Sequence, residues 1–184
     1  MSDLIEQYKL MHAQGRFNGL TLLRYKDEIK RLCEETHALT VLDYGSGKGM
    51  QYKAFDPTDE WGAAVTLYDP AVPGIDQLPS RPFDGVICTD VLEHLPEEDI
   101  ATTITRLYEL ARLFLLVSIC DRPSKKLLPD GRNCHVTVKP NKWWYDLMVA
   151  LFETTLPRHK TPLIVELWNN DTMTHERFGD ARYV

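Results

Sequence analysis

The stretch that most constrains the fold is Thr40 to Gly49, TVLDYGSGKG. Thr40, Val41, Leu42 and Tyr44 are β-formers in a short, mostly apolar run, the pattern of a strand buried on both faces of a parallel sheet. One acid, Asp43, interrupts it. Gly45, Gly47 and Gly49 follow, with Ser46 between the first two, a spacing that lets the backbone turn sharply and lets a ligand approach it closely. Met50 to Phe55 then reads as a short helix whose free N–H groups point back at the same place.

Taken alone, such a turn also fits the dinucleotide fingerprint G-x-G-x-x-G. Ala64 to Tyr68, AVTLY, is a second apolar run, and it ends in Asp69, twenty residues past Gly49, with Pro70 next. An acid at that point can accept both hydroxyls of a ribose. The third glycine comes one residue too early for the dinucleotide pattern, and an acid sits inside the strand before the loop. Both features resemble the class I S-adenosylmethionine-dependent methyltransferases, whose first motif reads acid, x, Gly, x, Gly, x, Gly. Phe83 to Pro96, FDGVICTDVLEHLP, is similar to the fourth-strand region of the small-molecule methyltransferases of that class, in which Phe-Asp opens the strand and Leu-Glu-His-Leu follows it. Three matches in the right order are far more specific than any one of them.

The resemblance implies an α/β fold: a Rossmann-like, mostly parallel sheet with an antiparallel C-terminal strand and helices on both faces. It implies S-adenosyl-L-methionine as cofactor, bound by Asp43, Gly45, Ser46, Gly47, Gly49, Asp69, Pro70, Asp90 and Val91. Ile75 to Pro79 looks like the family's segment before the fourth strand, where an acid often accepts the adenine amino group. Asp76 is either that contact or a solvated loop carboxylate. Two other functions stay open: a protein that binds the cofactor without catalysis, and an NAD-dependent oxidoreductase, which the early third glycine disfavours.

With 184 residues the chain suits one sizeable core, hence a single domain over 1–184. Its net charge of −6 argues against a surface that tracks phosphate backbones, so the expected acceptor is a small molecule rather than nucleic acid. Cys33, Cys88, Cys120 and Cys134 are widely spaced, with no C-x-x-C pair and no His at ligand spacing, which indicates neither a metal site nor a disulfide framework. No apolar run has the length of a membrane span, and MSDLIEQYKL carries no signal-peptide core, so a cytoplasmic protein is expected.

Residues 1–38 read as N-terminal helices: Leu4, Ile5, Tyr8, Met11 and His12 share one helical face, and Leu22, Tyr25, Ile29, Leu32 and Cys33 mark a longer helix after the Gly15 to Gly19 break. In the family such helices close over the cofactor. Tyr8, His12 and Phe17 either do that here or pack this helix against the sheet. Only fourteen residues separate Asp69 from Asp84, and they include Pro70, Pro73, Gly74, Pro79 and Pro82. That is too little for a crossover helix and another strand, so the third-strand region is reduced and 64 to 68 should form one edge of the sheet.

Further strands are expected at 85 to 89 and 113 to 119, with a helix opening at Pro96 between them. A long loop over 122 to 140 leads to a helix through Trp144, Leu147, Met148, Leu151 and Phe152. Thr154 to Leu156 and Leu163 to Trp168 read as an antiparallel pair across PRHKTP, and 169–184 as a partly ordered tail. Methyl transfer from a sulfonium chiefly requires positioning, and a base where the acceptor carries a proton. His94, His135 and Asp121 are the catalytic candidates, in a pocket walled by these three with Tyr8 and Phe17.

Overall fold

A computed structural model describes residues 2–17, 19–155 and 163–179 of the chain. Six strands form one sheet in the order β2-β1-β3-β4-β5-β6. They are β1 (Thr40–Tyr44), β2 (Ala64–Tyr68), β3 (Phe83–Thr89), β4 (Ala111–Ile119), β5 (Ile164–Asn169) and β6 (His175–Gly179). The first five run parallel and β6 pairs antiparallel with β5. β2 lies at one edge, as the proline-rich segment after it requires: no strand or helix forms between Asp69 and Pro82.

Alternation along the strands explains their nearly unbroken apolar runs. Leu42, Val86, Leu115, Val117, Val165 and Leu167 face one core, completed by α4 (Glu97–Leu110) and by Trp144 and Met148 of α5 (Asn141–Thr155). Val41, Ile87, Phe114, Leu116 and Ile164 face the other, against Ile29 and Leu32 of α2 (Lys26–Thr36), Tyr25 of the preceding 3-10 turn, and Trp61 of α3 (Pro57–Trp61). With helices on both sides, neither face of the central strands meets water, so most side chains pointing either way are apolar, with Asp43, Ser118 and Glu166 as buried polar exceptions.

Each helix carries a local reason for its boundaries. α3 opens on Asp56, whose carboxylate accepts the Thr58 amide at 2.8 Å, with Pro57 in its first turn, and Gly62 closes it at φ 68°. α4 begins with Glu97, Glu98 and Asp99 at its positive end and buries Ile100, Ile104, Leu107 and Tyr108. Among the described residues no helix is long and apolar enough to cross a membrane.

Two expectations about the C-terminal region are corrected. Thr154 belongs to α5, not to a strand, and Leu156 lies outside the described residues, as does the whole PRHKTP turn. The hairpin instead joins β5 to β6 across Asn170 to Thr174, so residues 175–179 of the segment read as a tail complete the sheet. β5 is parallel to β4 and antiparallel only to β6. Phe152 in the last turns of α5 packs edge-on against both Tyr108 and Phe178.

The first helix, α1 (Ser2–Ala13), does not pack its buried face on the sheet. Leu4 and Met11 join Leu128 and Cys134 of the long loop after β4, with Tyr8 and Phe17 against them. That places α1 over the end of the sheet where β1, β3 and β4 finish.

Candidate active site

The glycine loop leaves β1 and is pinned at once to β2, where the amides of Gly45 and Ser46 donate to the Tyr68 carbonyl at 2.7 and 3.1 Å. Gly45, Gly47 and Gly49 all have left-handed φ, of 79°, 56° and 66°. At the outer two, close packing also demands glycine. A Cβ on Gly45 would stand 2.3 Å from Val91, and one on Gly49 would stand 2.6 Å from Leu67. Gly47 is different: a Cβ there would meet only the His12 ring, at 3.5 Å.

Asp69 sits at the end of β2, 7% exposed, and grips this loop. One carboxylate oxygen accepts the Gly47 amide and the other the Ala71 amide, both at 2.8 Å. Asp43, 1% exposed, accepts from Gln51 Nε2 and from the Tyr52 hydroxyl, each at 2.9 Å. Burial outweighs those two donors and raises its carboxyl to about 7. Ser46 is buried in the loop, Pro70 is half-buried, and Asp76 is exposed in the loop after β2.

From α1, His12 lies over Gly47. Its carbonyl accepts from Lys48 Nζ at 2.6 Å, its Nε2 is 3.9 Å from Asp69, and its buried Nδ1 has no partner among the described residues. Burial lowers its imidazole pKa against the pull of Asp69.

The second half of the site follows β3. Asp90, a non-glycine residue at φ 56°, accepts from the Thr21 hydroxyl at 2.7 Å and from Asn170, which in turn accepts from the Tyr25 hydroxyl. Glu93 is fully buried; one oxygen accepts the Cys120 amide at 2.8 Å and the other has no partner among the described residues. Burial, with Asp90 beside it, raises the Glu93 carboxyl well above the ordinary range.

His94 ends the 3-10 turn Leu92–His94, and its Nδ1 is 2.8 Å from the Cys134 carbonyl. A carbonyl only accepts, so Nδ1 carries the proton and Nε2 is left as the acceptor. His135 repeats the arrangement, with Nδ1 2.7 Å from the Arg122 carbonyl. The two rings stand edge to face at 4.9 Å, and Tyr8 and Phe17 approach His94 at 5.4 and 5.9 Å. Burial and the neighbouring charge of His135 pull the His94 pKa down to about 3, leaving it neutral at ordinary pH. Beside His135 opens a cavity of about 820 Å³, bounded by the start of α1, the start of α4 and residues 132 to 139. Asp121, at the end of β4, accepts from Asn169 Nδ2 at 2.9 Å.

The fold thus brings together the glycine loop with Asp69, Gly45 with Val91, and His94 with His135, while Asp76 and Asp121 stay apart from both imidazoles in their hydrogen bonding. His12 and Asp90 were named from the sequence, the first as a possible cover of the cofactor, whereas Lys126 over the Phe17 ring at 4.8 Å and the Thr21 and Asn170 partners of Asp90 were not. Each joins residues far apart in the chain, and no local pattern marks them. Among the described residues, no group of three or more His, Cys, Asp or Glu side chains is arranged to hold a metal ion.

Comparison with known proteins bears on this geometry. No curated protein sequence matches the chain. Among solved structures, a Burkholderia thailandensis 1,6-didemethyltoxoflavin-N1-methyltransferase with bound 1,6-didemethyltoxoflavin and S-adenosylhomocysteine is similar at a TM-score of 0.58. The two are 17% identical, over 96% of this chain and 85% of that one. A SAM-dependent methyltransferase from Archaeoglobus fulgidus gives a TM-score of 0.44 at 17% identity, over 68% of each chain. The first likeness is one of fold. A family model described as a methyltransferase domain matches residues 17–159, which include the glycine loop, Asp69 and both imidazoles. The match covers most of the chain and decides between the two readings of the glycine turn: the protein belongs to the methyltransferase domain family, whose methyl donor is S-adenosylmethionine.

Proposed function

We propose that the chain transfers the methyl group of S-adenosylmethionine to a small-molecule acceptor at the C-terminal edge of its sheet, working as one domain in the cytoplasm. The observation that carries this reading is that one sheet edge gathers the glycine loop, Gly45 to Gly49, gripped by Asp69, and two imidazoles whose Nδ1 atoms are held by carbonyls, leaving Nε2 as the acceptor. The small-molecule acceptor is supported by the net charge of −6 and by a fold neighbour solved with 1,6-didemethyltoxoflavin bound. The four cysteines are free thiols, in keeping with a reducing compartment.

In this reading Asp43 and Ser46 shape the loop, Gly47 offers its surface to the cofactor, and Asp69 with Pro70 takes the ribose. Asp76 takes the adenine amino group, Asp90 and Val91 flank the cofactor, and residues 1–38 form the lid. The bound sulfonium supplies an activated leaving group, so the protein's task is to align the acceptor and exclude water. His135 is assigned the base role ahead of His94 and Asp121. Its Nδ1 is pinned by a carbonyl and its Nε2 is open, whereas His94 is too weak a base and Asp121 is tied to Asn169.

Calorimetry with S-adenosylmethionine, S-adenosylhomocysteine and NAD tests the cofactor assignment: the first two should bind and NAD should not. Release of S-adenosylhomocysteine across a metabolite panel tests turnover, and binding without release by any acceptor would favour the non-catalytic reading. Gly47→Val should abolish binding, and normal binding by that variant would count against the site. His135→Ala should lower turnover by about a hundredfold with cofactor affinity nearly unchanged.

A further inference from the structure

Lys126 stands at the aromatic and imidazole side of the site with no acid to answer it. Its Nζ lies 4.8 Å above the Phe17 ring, and no carboxylate pairs with it among the described residues. It is not carried on a loose stretch. The Lys126 amide donates to Ser124 Oγ at 3.1 Å, its carbonyl accepts the Cys134 amide at 3.1 Å, and Leu127 bridges to Asn133 across the same turn. Asn133 ties both ends by accepting the Ser124 amide and donating to the Ser124 carbonyl. A loop tied in this way holds the ammonium over the Phe17 ring, which itself stands 5.9 Å from His94, so the positive charge lies beside the imidazole.

The surrounding charges agree. His12 and Tyr8 face this region from α1, His94 and Glu93 from the turn after β3, and His135 from the loop that carries Lys126, with Asp90 behind. Glu93 is fully buried and accepts the Cys120 amide, and Asp90 is committed to Thr21 and Asn170. Lys126 is itself one of the charges that depress the His94 pKa. Lys126 therefore sets a positive charge beside the Phe17 and His94 rings, while Asp3, Glu97 and Glu98 lie further off along the cavity beside His135 with Arg132 and Lys139.

Resting on the methyltransferase reading, we propose that the acceptor is a planar acid, a phenol or an acidic ring N–H compound, methylated as its anion with Lys126 orienting and stabilising that anion. In the step, the acceptor O–H or N–H gives its proton to His135 Nε2. The lone pair of the anion forms a bond to the methyl carbon as the carbon–sulfur bond breaks, and that electron pair stays on sulfur. Anion and sulfonium become a neutral methylated product and S-adenosylhomocysteine, while the imidazolium returns its proton to water.

The test uses the full chain saturated with S-adenosylhomocysteine and 4-nitrophenol as probe, whose ionisation is read by absorbance. Bound 4-nitrophenol should titrate about one pH unit below the free compound. Lys126→Met should move the titration back to the free value and Lys126→Arg should retain the shift, with S-adenosylhomocysteine affinity within twofold of wild type in both. Nitrobenzene, the neutral analogue, should bind at least tenfold more weakly than 4-nitrophenolate, and benzamidine should not compete. An unshifted titration, an unchanged Lys126→Met variant, equal binding of nitrobenzene, preference for benzamidine, or no binding of 4-nitrophenol would each overturn the proposal. Failure of wild type to bind S-adenosylhomocysteine would instead overturn the methyltransferase reading, and this inference with it.

Discussion

At the scale of single residues, Asp43 shows how a cofactor loop is held at a cost in stability. The acid accepts two hydrogen bonds, but both come from neutral donors, and burial still raises its pKa to about 7. The folded-state value lies above that of the unfolded chain, near 3.9, so the folded protein holds a proton that the unfolded chain has lost. The stability this contributes is fully present below about pH 4 and is lost as pH rises through about 7. A shift of that size corresponds to on the order of 4 kcal/mol. Asp43→Asn keeps an oxygen that can accept from both Gln51 and Tyr52 and removes the charge. The variant should therefore match wild type in urea unfolding near pH 4 and be the more stable of the two at pH 8. A stability gap that stays flat from pH 4 to 8 would show that the carboxyl titrates normally. At Gly85 the constraint is simple volume: a Cβ there would sit 2.1 Å from the Phe114 ring in the core beneath β3 and β4. Gly85→Ala should cost about 1 to 3 kcal/mol by the same measurement.

At the scale of elements, what the sequence disclosed follows from how locally each feature is encoded. β1 and β2 appear at the residues expected, because a short apolar run bounded by an acid or a glycine turn is a local signal. The lost third-strand region was legible for the same reason, since prolines over 70 to 82 forbid regular structure whatever surrounds them. β6 was not legible: HERFG is mostly exposed, only Phe178 turns inward, and the turn before it uses Asn, Asp and Thr in place of glycine. α3 carried its capping signals, Asp56-Pro57 and Gly62, but spans only five residues and is easily passed over. In the site, His94 and His135 could be named from motif and loop position. The contacts of His12 and Lys126 arise from packing between distant segments, which no spacing rule reports. The apolar hold on β6 is Phe178 against Tyr145 and Phe152, beside the pairing of Arg177 with Glu35 and Glu166 and the stacking of His175 on Trp168. Phe178→Ala should lower stability by about 2 kcal/mol. It should also raise aggregation on warming, measured by light scattering, because β5 would then be the exposed edge of the sheet. A variant as stable as wild type would mean that backbone pairing, with Arg177 and His175, holds β6 without the aromatic contact.

At the scale of the molecule, three hydrophobic clusters of unequal size divide the chain into a rigid body and a cover. The two large ones lie on opposite faces of the sheet and share its strands, so neither can open without the other. The third, built on Leu4, Met11, Leu128 and Cys134, contains no strand residue; it joins α1 only to the loop after β4. Each of those side chains contributes at most about 1.5 to 3 kcal/mol of burial, offset by the ordering of a twelve-residue helix. The polar ties are equally local: the Tyr8 hydroxyl donates to the Cys134 carbonyl at 2.8 Å, with the His94 carbonyl 3.1 Å away, and Lys48 donates to the His12 carbonyl. Separation of α1 from the sheet should therefore require far less free energy than global unfolding, and it would uncover Gly47 beneath His12. Hydrogen exchange followed by mass spectrometry checks this. In the free protein, peptides from α1 and from residues 124 to 136 should exchange together, and much faster than peptides from β3 and β4. Saturating S-adenosylhomocysteine should slow both segments in parallel if α1 closes over the bound cofactor, and Lys48→Met should speed their exchange without changing that of β4. Exchange of α1 as slow as that of the central strands would show instead that the helix is part of the rigid body, and that the cofactor must enter by another route.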